Sequence, residues 1–207
     1  MLTPATSSGG VDVFIDATQD LGRVVKASGD TDSILGVQNI LDFEKGGFNV
    51  HGTSSNDTFA IVDQEASFLL IGGNDGVDDY DLSINSIVRL SFMTYMRDGP
   101  SGGIDVDLSL GNIYNDGYGN VEQIKFSTVG SGKLEIDATH HDDTVIGSSA
   151  SERFILYGGN NTLHAGEGFD AVRYDRNQVT DGINADLRTG IITSQWYGFA
   201  STDTVTG

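Results

Sequence analysis

The sequence predicts an all-β protein, a right-handed parallel β-roll or short β-helix with interspersed hairpins. Short apolar runs alternate with clusters of Gly, Asn, Asp and Ser, which predicts many short strands. The 207 residues include 28 glycines and 2 prolines, a composition that favours tight turns over long helices. A motif also recurs every nine residues, and a fixed period predicts an architecture of stacked repeats.

The period is clearest over residues 138–173, which divide into ATHHDDTVI, GSSASERFI, LYGGNNTLH and AGEGFDAVR. The sixth place always holds a carboxylate or an amide, and the eighth always holds an apolar residue. The sixth-place residues are Asp143, Glu152, Asn161 and Asp170, and the eighth-place residues are Val145, Phe154, Leu163 and Val172.

Residues 43–78 repeat the pattern less regularly, as FEKGGFNVH, GTSSNDTFA, IVDQEASFL and LIGGNDGVD. The eighth place holds Val50, Phe59, Phe68 and Val77. Asp57 and Asp75 fill alternate sixth places. Their spacing of 18 residues equals the spacing of Asp143 and Asn161. We therefore expect two nonapeptides to complete one coil.

Each nonapeptide is interpreted as a three-residue strand followed by a six-residue turn. Eighth-place side chains then point between two sheets and form the core. Sixth-place acids form rows along both edges, spaced by about 4.7–4.9 Å between strands. Such rows repel unless a cation lies between them, and Ca²⁺ accepts about 6–8 oxygens, including backbone carbonyls. The pattern therefore indicates calcium as a bound ion.

A longer repeat divides the chain into three parts. Each copy opens with an alternating strand, VDVFID at Val11, IDVDLS at Ile104 and INADLRTG at Ile183. In the first two copies a short strand follows, at residues 37–40 and 121–124. We expect one repeat over residues 1–102 with a roll block near 43–82, a second over 103–182 with a block near 129–175, and a truncated repeat or cap over 183–207. Because the third copy stops mid-unit, we interpret the sequence as an excised fragment.

The charge excludes some classes of partner. Thirty acidic residues against 11 basic ones give a formal net charge of −19, which disfavours nucleic acid as a partner. The absence of cysteine excludes disulfides and thiolate metal sites. No apolar run approaches the roughly 18 residues of a transmembrane helix, and MLTPATSSGG does not look like a signal peptide.

Residues 165–173, Ala-Gly-Glu-Gly-Phe-Asp-Ala-Val-Arg, resemble the nonapeptide G-G-x-G-x-D-x-U-x of the RTX, or haemolysin-type calcium-binding repeat, family, and depart from it by Ala at the first place. Residues 52–59 are similar to the family's common opening repeat. The resemblance implies a bacterial protein exported by type I secretion that folds on meeting external calcium. It implies a non-enzymatic spacer or folding module that lies beside other domains of a larger secreted protein.

The same resemblance points to calcium ligands at both edges of the roll. Asp170, with Gly166 and Gly168, is expected to face Glu152 on one edge. On the other edge Asp143 is expected to face Asn161 with Gly159, and Asp57 to face Asp75 with Gly73. The alternative is a set of metal-free coils in which these side chains cap their own turns.

Other functions stay open at this point. An adhesin or carbohydrate-binding module is favoured by the irregular insertion at 85–102 and by Trp196, whose indole suits sugar stacking. Such a module would bind a cell-surface glycan or protein. The alternative for Trp196 is a hairpin tip or a cap over the last coil. A polysaccharide lyase or epimerase would use Arg153 and Tyr157 near His140, although His140 and His141 are expected to be exposed turn residues. The chain could also be the carrier tail of a protease or lipase.

Overall fold

The computed structural model describes residues 9–16, 21–35, 48–63, 68–85, 87–93, 99–130 and 132–207. The described residues form strands and turns without a helix, which confirms the prediction of an all-β protein. None of the described residues form a helix long and apolar enough to cross a membrane. The strands are β1 (Asp12–Asp16), β2 (Leu21–Val25), β3 (Thr31–Leu35), β4 (Phe48–His51), β5 (Thr58–Asp63), β6 (Phe68–Gly72), β7 (Asp79–Ile84), β8 (Ile87–Ser91), β9 (Asp105–Asp107), β10 (Asn112–Asn115), β11 (Glu122–Val129), β12 (Lys133–Asp137), β13 (Thr144–Ile146), β14 (Arg153–Ile155), β15 (Thr162–His164), β16 (Ala171–Arg173), β17 (Asn184–Asp186), β18 (Ile191–Trp196) and β19 (Phe199–Thr206).

Two sheets contain all of these strands. The mixed sheet has 13 strands in the order β17-β18-β19-β15-β13-β9-β10-β11-β7-β5-β1-β2-β3, and the parallel sheet has six in the order β16-β14-β12-β8-β6-β4. Between β4 and β8, and again between β12 and β16, each strand lies in the opposite sheet from the strand before it. Every pair in the parallel sheet is parallel.

Three antiparallel meanders interrupt this alternation, and all three belong to the mixed sheet. They are β1-β2-β3, β9-β10-β11 and β17-β18-β19, which correspond to the openings of the three long repeats. The second meander lies inside the sheet, because β9 pairs with β13 and β11 pairs with β7, both in parallel. The short strand expected at residues 37–40 lies outside the described residues, as do 94–98 of the insertion.

The core lies between the two sheets. Its largest buried side chains include Phe59 and Tyr80 of the mixed sheet and Leu69, Leu90 and Phe154 of the parallel sheet, within one hydrophobic cluster. The phenyl ring of Phe59 stacks on the phenol ring of Tyr80, with centroids 5.3 Å apart. In the second block the eighth-place prediction is confirmed for Val145, Phe154 and Leu163, which are all buried.

The eighth-place prediction is wrong for two residues of the first block. Val77 is 48% exposed, and Tyr80 fills the core position instead. The physical reason is register: β5 and β7 pair Thr58 with Asp79 and Phe59 with Tyr80, so this coil spans 21 residues rather than 18. Phe68 is half-buried beside the Arg89 guanidinium, while its neighbour Leu69 points into the core.

Candidate functional site

Buried acids form a ladder across the N-terminal ends of β5, β7 and β11 in the mixed sheet. We call Asp57, Asp78 and Glu122 the first polar ladder. The Val11 N–H donates to Asp57 Oδ1, the Asp57 N–H donates to Asp78 Oδ1 (2.8 Å), and the Asp78 N–H donates to Glu122 Oε1 (3.1 Å). Each carboxylate therefore ties its own strand to the backbone of the neighbouring strand.

The second block repeats the arrangement with different residues. In the second polar ladder, Asp143, Asn161 and Asp203, the Ile104 N–H donates to Asp143 Oδ1 (2.8 Å) and the Asp143 N–H to Asn161 Oδ1 (2.9 Å). The Asn161 N–H and Nδ2 both donate to Asp203 Oδ1. All three side chains are buried. The sixth-place residues thus point inward, toward backbone donors.

Some ladder acids also close their own turns. The Thr139 N–H and hydroxyl donate to Asp143, four residues later, and the Thr53 N–H and hydroxyl donate to Asp57 in the same way. Burial raises the pKa of Asp143 to about 6 in spite of these hydrogen bonds. Such turn-closing bonds are what the metal-free alternative requires.

A pair of acids, Glu152 and Asp170, lies immediately before strands β14 and β16 of the parallel sheet. The Glu152 N–H donates to Asp170 Oδ1 (2.8 Å), so these two residues face each other as the sequence predicts. The Ser148 hydroxyl donates to Glu152. Burial raises the pKa of Glu152, and the nearby negative charge of Asp170 raises it further. Two carboxylates therefore lie close together here, and Asp170 is only half-buried.

Glycines let the Asp170 turn stack closely on the preceding turn. Gly166 and Gly168 have φ values of +93° and +117°. A Cβ on Gly166 would collide with the Ser148 carbonyl, and one on Gly168 with the Ala150 carbonyl. The turn thus requires glycine both for its backbone conformation and for its close approach to carbonyl oxygens.

Among the remaining predicted residues, the position of Asp75 differs from the expectation. Asp75 is exposed and accepts from the Gly76 N–H and from Asn120 Nδ2, both at 2.9 Å, while Asp78 takes the place opposite Asp57. Gly73 is buried beside Asp78. Gly159, at φ +82°, packs against the His141 carbonyl in the turn that precedes Asn161.

The first polar ladder ends in a buried acidic cluster of Asp78, Glu122 and Asp116. Burial, followed by the charges of its two neighbours, raises the pKa of Glu122 to about 9. Burial likewise raises the pKa of Asp78 to about 7. Glu122 Oε2 is buried and has no hydrogen-bond partner. The Asp116 carboxylate accepts from the backbone N–H groups of residues 118–120 and from Asn120 Nδ2.

A second charged cluster lies on the parallel sheet, where three arginines surround one buried glutamate. Arg89 Nη2, Arg153 Nη1 and Arg173 Nη1 lie 2.6, 3.0 and 3.4 Å from the Glu135 carboxylate. Burial alone would raise the pKa of Glu135, but the hydrogen bonds from Arg89 and Arg153 outweigh it and hold that pKa below its usual value. The four residues come from β8, β12, β14 and β16 and join those strands.

The residues considered for catalysis have other partners. Arg153 binds Glu135, and the Tyr157 hydroxyl donates to Asp137 Oδ1. The imidazole rings of His140 and His141 lie 4.2 Å apart. Trp196 lies next to the hairpin tip, as predicted, but its indole is buried against Ile155 and Tyr157.

The sequence interpretation missed Glu122 and Asp203 as ladder residues. Asp203 is followed by Thr204 and Val205, just as Asp143 is followed by Thr144 and Val145. The Asp-Thr-apolar triplet is the signal that could have identified it. Glu122 carries no such triplet.

Comparison of the chain with protein-family models, curated proteins and solved structures found no match. Within the described residues, no three His, Asp or Glu side chains gather into a group that could hold a metal ion. Any cation site among them would therefore depend on backbone carbonyls as well as acids.

Proposed function

We propose that this chain is a non-enzymatic structural module, a right-handed parallel β-roll or short β-helix of the RTX kind. In this proposal it is a spacer or folding domain of a larger secreted bacterial protein. The observation that carries the proposal is the alternation of consecutive strands between two sheets with parallel pairing, with acids placed immediately before the strands. Stacked repeats of this type contact mainly their neighbours and form extended structures, which suits a spacer.

Calcium binding in this proposal belongs to the Asp170 turn. The Asp170 and Glu152 carboxylates lie close together, and glycine brings the turn against the Ser148 and Ala150 carbonyls. Carboxylates and backbone carbonyls are the oxygen ligands that Ca²⁺ prefers. A bound cation would supply the positive charge that this pair of acids lacks, so the residues present fit the ion.

The ladder acids fit a cation less well. Asp143 accepts from the Ile104 N–H, the Thr139 N–H and the Thr139 hydroxyl, and Asp57 is engaged in a similar way. A cation would compete with these donors for the same oxygens. We therefore assign Asp57, Asp143 and Asn161 to the stability of the strand stack, and only the Asp170 turn to calcium.

Calorimetric titration and thermal melting test the calcium site. At a concentration 100 times Kd, a ligand that binds only the folded state adds about 2.7 kcal/mol. For a chain of this size that corresponds to a Tm increase of roughly 5–10 °C. Asp170→Asn retains an oxygen that accepts from the Glu152 N–H but removes the charge, so we expect it to lose most of this increase.

Glu167→Gln is the matched control, because Glu167 lies in the same turn and is exposed. It removes the same charge from the same turn, and the calcium response should stay close to wild type. Absence of binding heat in the wild type, or equal binding by Asp170→Asn, would contradict the calcium assignment.

A carbohydrate-binding module is a second candidate, and one specific observation favours it. Tyr197 and Phe199, at the hairpin tip between β18 and β19, are 63% and 77% exposed. They line a cavity of about 510 Å³ together with His140 and Gln178. Exposed aromatic rings beside polar side chains suit sugar stacking.

A glycan array with wild type and Tyr197→Ala tests this candidate. Trp196→Ala is a poor probe, because it would also remove the packing of Trp196 on Ile155 and Tyr157. Binding of a glycan that is lost in Tyr197→Ala and kept in Leu110→Ala, another exposed apolar site, would support it. An array without binding would reject it.

A further inference from the structure

Strands β9 and β17 occupy equivalent places in the second and third long repeats. Both begin after an isoleucine, Ile104 and Ile183, and both are followed by a leucine, Leu108 and Leu187. Their registers with the next strand are the same. Val106 lies opposite Ile113, and Ala185 opposite Ile192. The surroundings of β9 therefore indicate what β17 is built to contact.

The other edge of β9 is covered by β13. Val106 pairs with Val145, the Thr144 N–H donates to the Ile104 carbonyl (2.8 Å), and the Leu108 N–H donates to the Ile146 carbonyl (2.8 Å). The Ile104 N–H is bound by the Asp143 carboxylate. The segment that covers β9 thus carries the triplet Asp-Thr-Val.

In the first long repeat, the corresponding edge of β1 is paired in the same way. Strand β5 pairs in parallel with β1, the Thr58 N–H donates to the Val11 carbonyl (2.9 Å), and Asp57 accepts from the Val11 N–H. This covering segment reads Asp-Thr-Phe. Two independent copies in one chain therefore place an Asp-Thr-apolar segment on the same edge.

The corresponding edge of β17 is open within the described residues, where β17 is the last strand of the mixed sheet. Ile183 is 47% exposed, whereas Ile104 is 2% exposed. Leu187 is 85% exposed, whereas Leu108 is 3% exposed. A cavity of about 510 Å³ adjoins Leu187, Ile192 and Val205. We call Ile183, Ala185 and Leu187 the open edge.

We propose that the open edge is a docking site for a partner segment that carries an Asp-Thr-apolar triplet and adds one parallel strand to β17. The partner's aspartate accepts from the Ile183 N–H, and its apolar residue packs beside Ala185. An unpaired edge with exposed apolar side chains is a template for strand addition. In the two internal copies the contacts of the triplet are hydrogen bonds between protein groups, and the docking is therefore tested in the presence of EDTA.

A second copy of this chain does not supply such a segment. All three of its Asp-Thr-apolar strands are paired on both sides: β5 by β1 and β7, β13 by β9 and β15, and β19 by β15 and β18. A formal charge of −19 on each copy also opposes association of two copies. The partner is therefore a segment whose triplet is unpaired before docking.

Titration of the isotope-labelled full chain with a synthetic peptide of residues 139–147, Thr-His-His-Asp-Asp-Thr-Val-Ile-Gly, tests the proposal by NMR. We expect amide shift changes and slowed hydrogen exchange confined to residues 183–187, with EDTA present. A peptide with Asp143→Ala should bind at least tenfold more weakly. Leu187→Ser in the full chain should abolish the effect, and Leu110→Ser, at a second exposed leucine, should leave it unchanged.

A second version of the experiment, in which the segment is fused to the chain, covers the case in which a nine-residue peptide is too short to bind. Val205 pairs with Leu163 as Ile124 pairs with Tyr80, so Gly207 corresponds to Phe126. Residues 127–175 appended after Gly207 should protect the Leu187 amide from exchange and raise Tm, and Asp143→Ala in the appended copy should reverse both. The proposal is overturned if neither arm protects residues 183–187, or if light scattering shows that the chain buries Leu187 by self-association.

Discussion

At the scale of single residues, the sixth-place acids have a structural task that their spacing does not reveal. Asp143 and its equivalents accept hydrogen bonds from the backbone of the adjacent strand. A buried N–H without a partner costs about 1–3 kcal/mol. In the described residues these carboxylates therefore satisfy strand donors, in addition to any role with a cation.

Glu122→Gln should change the pH dependence of stability. The folded-state pKa of Glu122 is raised from 4.5 to about 9, so the folded state binds more protons than the unfolded state between those values. Stability therefore falls as pH rises through this window. Glutamine keeps an oxygen for the Asp78 N–H and does not have to take up a proton on folding, so we expect the variant to be more stable at pH 8, by about 1–3 kcal/mol.

Chemical denaturation from pH 5 to pH 9 would check this expectation. Glu167→Gln, at an exposed acid, is the control for the general loss of one negative charge. If the two variants flatten the pH profile equally, net charge and not the buried cluster of Asp78, Asp116 and Glu122 determines the slope. Tyr80, whose hydroxyl donates to Asp78, faces the same cluster.

The sequence predicted the positions of the acids but not the direction in which they point. The nine-residue pattern identified Asp143 and Asn161 as neighbours, and the structure joins them by a hydrogen bond. Residues 73–78, Gly-Asn-Asp-Gly-Val-Asp, contain two aspartates, Asp75 and Asp78, either of which could lie opposite Asp57. Pairing of Thr58 with Asp79 selects Asp78, which is a tertiary effect that no local spacing specifies. Whether a carboxylate faces solvent or a backbone donor is likewise set by its neighbours.

At the scale of secondary structure, the strands of the parallel sheet are joined by side chains as well as by their backbone ladder. Glu135 on β12 lies within 3.4 Å of arginines from β8, β14 and β16. The sequence pattern assigned no role to Arg89, Glu135 or Arg173, and Arg153 was considered only as a catalytic candidate. Their arrangement follows from parallel register, which aligns Glu135 with Arg89 and Arg153.

Glu135→Ala should destabilise the protein by roughly 3 kcal/mol, because it leaves three neighbouring arginines without their shared, buried partner. Asp175→Asn removes an exposed acid that binds Arg173, and should cost less than about 1 kcal/mol. Urea denaturation of both variants at pH 7 provides the measurement. Similar costs for the two variants would show that the buried position of Glu135 is unimportant.

At the scale of the whole molecule, the negative net charge is an unfavourable feature. A formal net charge of −19 is spread over 207 residues, and several of the acids are buried. Self-repulsion of this size destabilises a compact state. The described ion pairs, such as Lys125 with Asp81, neutralise only a small part of it.

Added salt should therefore stabilise the protein. Raising NaCl from about 10 mM to about 300 mM shortens the Debye length from roughly 30 Å to below 8 Å, which screens the repulsion. We expect Tm to increase by several degrees in differential scanning calorimetry in the presence of EDTA. A constant or falling Tm would mean that the acids are already compensated within the fold.

The polar ladders also determine how the length of the molecule can change. Their hydrogen bonds join residues 18 or 21 positions apart where two strands form a circuit, and 39–46 positions apart where a meander intervenes. Excision of residues 147–164, one full circuit, would bring Asp203 opposite Asp143. The pairing registers of the remaining strands would stay unchanged. Circular dichroism and exchange mapping of that shortened chain would show whether a circuit is a removable unit. If it is, this architecture can gain or lose whole circuits during evolution while the remaining strands of the polar ladder keep their side-chain acceptors.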